Sequence, residues 1–466
     1  MASRHSTALP PTDPNPYYGA GPTEPTLVYQ VEAAPRRRRG RRFLRALLIL
    51  LLLVIVLLGI GGAAVYEDPA LLAPVGGALL GTQPGTVAWN GHDPVNILVM
   101  GVDQRTNEQT RSDSMIVMRV DPSSHDVKML SVPRDLWVTI PSADPNRPYG
   151  QYKINAAYAL GWATPQGQGP QYAALTVEDA LHIPVNYYAV VKFAGFQSVI
   201  DAIGGVNVCV PQAINDNSYP AEVGYGFDPL HIKAGCQKMD GTLALKYTRE
   251  RHAYAQQDLG RVQAQQAVLT GITKGLFSPG TLLRAPAILS AANNALITNM
   301  PHSMLPQLGL LLARAKGAHT QHSYINQDGG YVTNAVSGDG QDILLPVNND
   351  WAKIWGLTTG LFADPQLQAE HATIQVRDGQ HTAGLAALYT TVLGKVGFNT
   401  AGFAPRNADK STYTRSLIVV NQDLPGADYT ARLLAQLLQA DVAYRHIGTD
   451  HAQIVAILGS QAAEGS

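Results

Sequence analysis

The stretch NILVMGVDQRTNEQTRSDSMIVMRVDPSSHDVKMLSV, residues 96–132, decides the fold. Segments 96–100, 114–120 and 127–132 are short runs rich in Val, Ile and Leu, the pattern of strands. Asp121, Pro122, Ser123 and Ser124 lie between the second and third, which predicts a hairpin turn. Residues 187–191 add another strand. Helical patterns follow over 154–160, 172–181, 193–203, 241–247 and 258–276, and Thr176 is read as a capping residue inside the second. Strands and helices mixed without strict alternation suggest an α/β or α+β sandwich. Residues 278–361 read as mostly helical, with a Gly-, Asn- and Ser-rich loop at 328–342. From residue 372 a β-α-β-α-β order follows: strands 373–376, 416–420 and 453–458, helices 383–396 and 427–440.

Outside this folded part the chain changes character. The first 45 residues hold eight arginines against three acids. Residues 43–65 are nearly continuously apolar and exceed the roughly 20 residues a helix needs to cross a bilayer. The arginine cluster before them sets a cytoplasmic N-terminus, with the rest of the chain outside. The expected organisation is a disordered basic tail (1–42), a single transmembrane helix (43–65), a connector (66–93), a main domain (94–363), a linker (364–371) and a small C-terminal domain (372–460). Two cysteines in an outward-facing part, Cys209 and Cys236, fit one disulfide or two separate buried thiols.

A formal net charge of -1 and the absence of a basic reading helix argue against a nucleic-acid partner. The histidines show no zinc-type spacing, and there is no G-x-S-x-G elbow or P-loop. What remains is an arginine set with aspartates beside it: Arg105, Arg111, Arg134, Arg249, Arg251 and Arg261 with Asp103 and Asp113. Guanidinium forks fit phosphate oxygens bidentately, and paired carboxylates suit Mg2+, with Mn2+ as an alternative. Taken singly, each has a plainer reading. Asp103 and Asp113 would be solvated loop charges, Arg134 an ion-pair partner of Asp135, and Lys153 an exposed helix start. Arg249 and Arg251 share a side if extended. Asp258 caps the next helix, Arg261 opposes that helix's dipole, and Gln265 lies on the same face. A salt-bridge network is the competing account of that group.

The order NILVMGVDQR, RSDS, SVPRD, KINAAYA, NYYAVVKFAGFQSVIDAIGGVNVCVP, GCQKMDGTLALKYTRERH and DLGR resembles the LytR-CpsA-Psr family over residues 94–266. IQVRDGQHTAGLA through QIVAILG is similar to the LytR C-terminal domain, although Asp378 stands where an Asn-Gly pair is common. The resemblance implies an α/β fold, an α-β-α sandwich with a mixed central sheet, plus a small C-terminal α/β domain. It implies a membrane-anchored phosphotransferase that moves a glycopolymer from a polyprenyl-pyrophosphate carrier to peptidoglycan. Asp103 and Asp113 would hold Mg2+. Arg111, Arg134, Arg249, Arg251 and Arg261 would bind pyrophosphate oxygens, ordered by Asp258 and Gln265. Arg105 and Lys153 would be peripheral anion contacts, and Asp135 or Asp258 a general base. Ala264 replaces a basic residue of the family's GRxxRQQ stretch. The Cys209 and Cys236 pair matches a disulfide of some relatives. Apolar residues of 193–203 and 268–276 would line a lipid tunnel or form ordinary core. A non-catalytic envelope-binding or regulatory protein and a polyprenyl-pyrophosphate hydrolase are the rival functions.

Overall fold

A computed structural model describes residues 89–102, 112–142, 150–162, 168–219, 226–250, 284–301 and 320–460, with single helical positions between 264 and 311. In chain order the main domain runs β1 (Val95–Val102), β2 (Ser112–Asp121), β3 (Asp126–Val132), β4 (Trp137–Ile140), β5 (Gly150–Lys153), α1 (Ala156–Trp162), α2 (Gly169–Leu181), β6 (Tyr187–Lys192) and α3 (Phe193–Ala202). It continues through β7 (Val206–Val210), β8 (Ile214–Asp216), β9 (Leu230–Ile232), β10 (Gly235–Met239), α4 (Gly241–Arg249), α5 (Ala285–Ala295), β11 (Leu296–Thr298), β12 (Thr320–Tyr324), β13 (Val332–Val336), β14 (Asp342–Pro346) and α6 (Ala352–Phe362).

The central sheet has the order β11-β6-β1-β2-β3-β12. It is mixed: β1 runs parallel to β6 and antiparallel to β2, and β12 is parallel to β3. All eight residues of β1 are buried, as expected of a central strand covered on both faces. Ile97, Val99, Ile116 and Met118 face one core with Val199 of α3 and Ala295 of α5. Leu98, Met100, Met115 and Val117 face the other with Tyr158, Val177 and Ile354 from α1, α2 and α6. This is the expected α/β sandwich. A Cβ on Gly195 would stand 2.2 Å from the Ala295 Cα, so α3 and α5 can approach only because that residue is glycine. Gly204 and Gly205, both at positive φ, end α3 with amide bonds back to Asp201 and Ile200.

The hairpin after β2 forms as predicted, with the Asp121 carboxylate accepting from the Ser123 amide at 2.9 Å. Thr176, by contrast, is no cap: it lies inside α2, and its hydroxyl donates to the Tyr172 carbonyl at 2.7 Å. Residues 328–342 are not merely a loop. They contribute β13 and the start of β14, an antiparallel pair whose tip closes with Ser337 N donating to Gln341 O. Cys209 and Cys236 are direct partners in the β7–β10 register and are disulfide-bonded.

The expected linker contains α7 (Pro365–Glu370), capped by Asp364, whose carboxylate accepts from the Gln366 and Leu367 amides. Beyond it come β15 (Ile374–Asp378), α8 (Leu385–Lys395), β16 (Arg406–Asn407), β17 (Leu417–Asn421), α9 (Asp428–Leu438), β18 (Asp441–Arg445) and β19 (Ile454–Leu458). Their sheet has the order β16-β15-β19-β17-β18, so the C-terminal part is a small α/β domain as read. It is tied to the main domain by buried polar contacts. Arg119 of β2 lies 3.8 Å from Asp364, which also accepts from the Tyr429 hydroxyl at 2.6 Å. The Glu370 carboxylate accepts from the Tyr429 and Thr430 amides at the start of α9. Among the described residues no helix is long and apolar enough to cross a membrane; residues 43–65 lie outside them.

Candidate functional site

Strand directions gather several chain segments at one edge of the central sheet. β1 leaves it at Val102, opposite Ser112 at the start of β2 and beside Lys192 at the end of β6. β3 ends there at Val132, opposite Met115. In open α/β sheets, the crevice beyond the carboxyl ends of strands is the usual ligand site. Two of the sequence-predicted groups lie at this edge: Asp113, second in β2, and Arg134, just after β3.

Asp113 occupies a special backbone position. Gly101 pairs with Ser114 but Val102 pairs with Ser112, so Asp113 is the extra residue of a β-bulge. Bulges re-aim a residue and concentrate beside active sites. Its neighbour Ser112 is fully buried, and its hydroxyl has no hydrogen-bond partner among the described residues.

Arg134 sits in a turn fixed from several sides. Leu136 N donates back to Pro133 O, Asn155 N donates to Arg134 O at 3.3 Å, and Leu344 N donates to Asp135 O at 2.9 Å. Pro133 ends β3, as its missing donor predicts. The guanidinium is half exposed and lies 3.5 Å from the Asp135 carboxylate, whose other oxygen is 3.0 Å from Lys153 Nζ. The ion-pair reading of Arg134 is therefore correct as far as it goes, and Asp135 joins two cations. Lys153 closes β5 rather than opening a helix, because α1 starts three residues later. Asn155 is buried beside this turn with its carbonyl oxygen unpartnered among the described residues. Sequence reading passed over both Asn155 and Ser112, since a buried orphan acceptor has no local signature.

Arg249 differs from its predicted setting. It is not extended but ends α4, a helix capped by Asp240, whose carboxylate accepts from Leu243 N at 2.8 Å. A cation in the last turn is favoured by the helix dipole. The guanidinium carbon lies 5.7 Å from the centre of the Phe193 ring, a cation–π contact. Phe193 directly follows Lys192, so this contact ties Arg249 to the same edge of the sheet. Glu250, next in the chain, is buried. Asp103, Arg105, Arg111, Arg251, Asp258, Arg261 and Gln265 lie outside the described residues, as does the side chain of Asp113. Ala264 is described and fully buried in the core with Val268 and Ile272. Phe196, Ile200 and Ile203 pack into that cluster too, which favours ordinary core for these residues over a tunnel wall.

The residues assigned to metal, Asp103 and Asp113, would offer hard carboxylate oxygens, and the neighbouring Ser112 carries a hydroxyl oxygen with no partner among the described residues. That donor chemistry fits Mg2+. Among the described residues no group of three or more His, Cys, Asp or Glu is placed to hold a metal.

Comparison with known proteins gives the chain's relatives. The LytR_cpsA_psr family model matches residues 80–349, and the model described as LytR cell envelope-related transcriptional attenuator matches residues 371–461. The chain is 34% identical over 237 residues to an Oceanobacillus iheyensis protein named polyisoprenyl-teichoic acid–peptidoglycan teichoic acid transferase TagU, covering 51% of this chain and 68% of that one. It is 34% identical over 218 residues to the regulatory protein MsrR of Staphylococcus aureus, covering 46% of this chain and 59% of that one. Among solved structures, B. subtilis TagV aligns at 27% identity and a TM-score of 0.41, over 58% of this chain and 97% of that one.

Proposed function

Since the chain belongs to the LytR-CpsA-Psr family, matched over residues 80–349, we propose that it is a cell-envelope phosphotransferase. It attaches a glycopolymer from a polyprenyl-pyrophosphate carrier to peptidoglycan. The observation that carries this reading is the convergence at one sheet edge of the Asp113 bulge, the braced Arg134 and the Phe193-backed Arg249. The relative named as a teichoic acid transferase to peptidoglycan supports the reaction class.

In this reading Arg134 and Arg249, joined by Arg111, Arg251 and Arg261, bind the non-bridging oxygens of the pyrophosphate. Arg105 and Lys153 are outer contacts. An acceptor hydroxyl on peptidoglycan attacks the glycan-bearing phosphorus. The new P–O bond forms as the bridging P–O bond to the polyprenyl phosphate breaks, and the carrier leaves as its monophosphate. Such a transfer needs mainly positioning and charge neutralisation. Asp103 and Asp113 would hold Mg2+, which would supply part of that neutralisation. Asp135 has each carboxylate oxygen beside a cation, Arg134 or Lys153. It therefore acts as a positioning residue, and Asp258 is the better base for the acceptor proton.

Residues 43–65 anchor the chain once in the cell membrane, with the N-terminus cytoplasmic and the two folded domains outside. The test is turnover of a polyprenyl-pyrophosphate glycan with peptidoglycan, in Mg2+ and in chelator, by the intact protein and by Arg249→Ala. Transfer that needs Mg2+ and falls sharply in the variant supports the proposal. Transfer indifferent to Arg249 removes the arginine assignment. Release of lipid phosphate without an acceptor indicates the hydrolase. Complete inactivity favours the regulatory role that the name of the S. aureus relative suggests.

A further inference from the structure

Where the two domains meet, a cleft of about 510 Å³ opens between α2, α6 and α8. Its size lies within the range of about 300–1,000 Å³ of small-molecule sites, which favour domain interfaces and aromatic linings. One wall is aromatic. Trp351 and Trp355 line it with ring centres 6.1 Å apart at 22°, and His182, outside the lining, stacks on Trp355 at 4.4 Å and 14°. Trp355 is fixed by its indole N–H, which donates to the Ala180 carbonyl at 3.0 Å, yet the residue is 36% exposed. Ala180, Gly384 and Ala387 add little side chain to the lining, and Leu388 adds an apolar one.

The polar groups are mixed rather than of one sign. Asp179 of the main domain and Lys395 of the C-terminal domain pair at 2.6 Å, and both border the cleft with Thr139 and Thr391. The pair cancels, so the lining carries no net charge to attract phosphate or a cation. Burial, and then the nearby Lys395, hold the His182 imidazole below its ordinary range. A carboxylate, an ammonium and two hydroxyls beside a flat aromatic wall suit a neutral ligand with one C–H face and many hydroxyls. Ring faces carry negative charge density that attracts such C–H edges. That ligand is a pyranose saccharide.

We propose that this interdomain cleft binds a pyranose oligosaccharide, separately from the phosphate-binding edge and independently of the transfer reading. An amino-sugar glycan strand and a plain hexose polymer share the chemistry, and two probes separate them. Chitotetraose and maltotetraose would be titrated calorimetrically into the full-length protein in detergent. Binding of either is expected, about tenfold weaker in Trp355→Ala. Thr391→Trp, on an exposed position of α8, fills the cleft without removing a packed ring and should also abolish binding. Inorganic pyrophosphate should not compete. The proposal is overturned if neither saccharide binds, if binding survives Thr391→Trp, or if pyrophosphate displaces the saccharide. Preference for chitotetraose assigns the cleft to an amino-sugar strand; equal binding assigns it to hexose chains generally.

Discussion

Replacing Glu178 by glutamine should change how the protein's stability responds to pH. Glu178 lies in α2, buried, with one oxygen accepting from Val185 N at 3.0 Å. Burial pushes its carboxyl up to about 8 from an ordinary value of 4.5; the Val185 amide opposes this, and the neighbouring Asp179 adds to it. Between those two values the folded state keeps a proton that the unfolded chain has released. The stabilisation from this protonation is therefore fully present below about 4.5 and is lost as pH rises toward 8. At 1.36 kcal/mol per unit, the loss from pH 5 to pH 8 is on the order of 3 kcal/mol, read as a ceiling because local opening can relieve it. Glutamine keeps the acceptor for Val185 and cannot ionise. Urea unfolding of the protein and of Glu178→Gln at pH 5, 6, 7 and 8 measures the difference directly. The variant should gain on the parent steadily as pH rises. Parallel pH profiles for the two proteins would refute the reasoning.

Other outcomes follow from the same structure. Cys209→Ser with Cys236→Ser, or reduction, opens a closure of 27 residues and should cost about 3.5 kcal/mol, visible as a lower urea midpoint in the presence of thiol. Asp364→Ala leaves the Arg119 charge buried without its carboxylate and should destabilise by about 3–5 kcal/mol in thermal or urea unfolding. Arg134→Ala should slow the proposed transfer by about 10²–10³-fold, mostly in kcat. An unchanged kcat with a raised KM would make Arg134 a ground-state contact only.

The central strands were legible because burial on both faces demands continuous apolar runs, and 96–100 is such a run. Elements at the margins were not. β18, with the sequence DVAYR and mostly exposed, and β13, exposed at three of five positions, lack the apolar alternation that marks a strand. Their pairing comes from a neighbour in space. The 364–371 segment reads as a linker, yet its Asp364-Pro365 pair is an N-cap followed by proline in the first turn, which starts a helix. At the site, the sequence offers the residue types, arginines and aspartates, together with the family motifs that single them out. It does not offer their settings: the bulge at Asp113, the Asp135 bridge to Lys153 and the ring beneath Arg249 all depend on partners far along the chain.

The Arg119–Asp364–Tyr429 contact makes the junction between the domains a rigid spacer rather than a tether. Both halves of it are built from groups whose desolvation forbids casual separation, and α7 fills the connection with a helix of fixed length. Insertions of a few residues in a flexible tether leave reach nearly unchanged. Here, adding or removing one residue between Asp364 and Glu370 would rotate everything beyond it by about 100° about the α7 axis, the angular step of an α-helix. The chain thus measures distance between its two lobes, and indels in that short helix should be far less tolerated than indels in the exposed hairpin tip at 337–341.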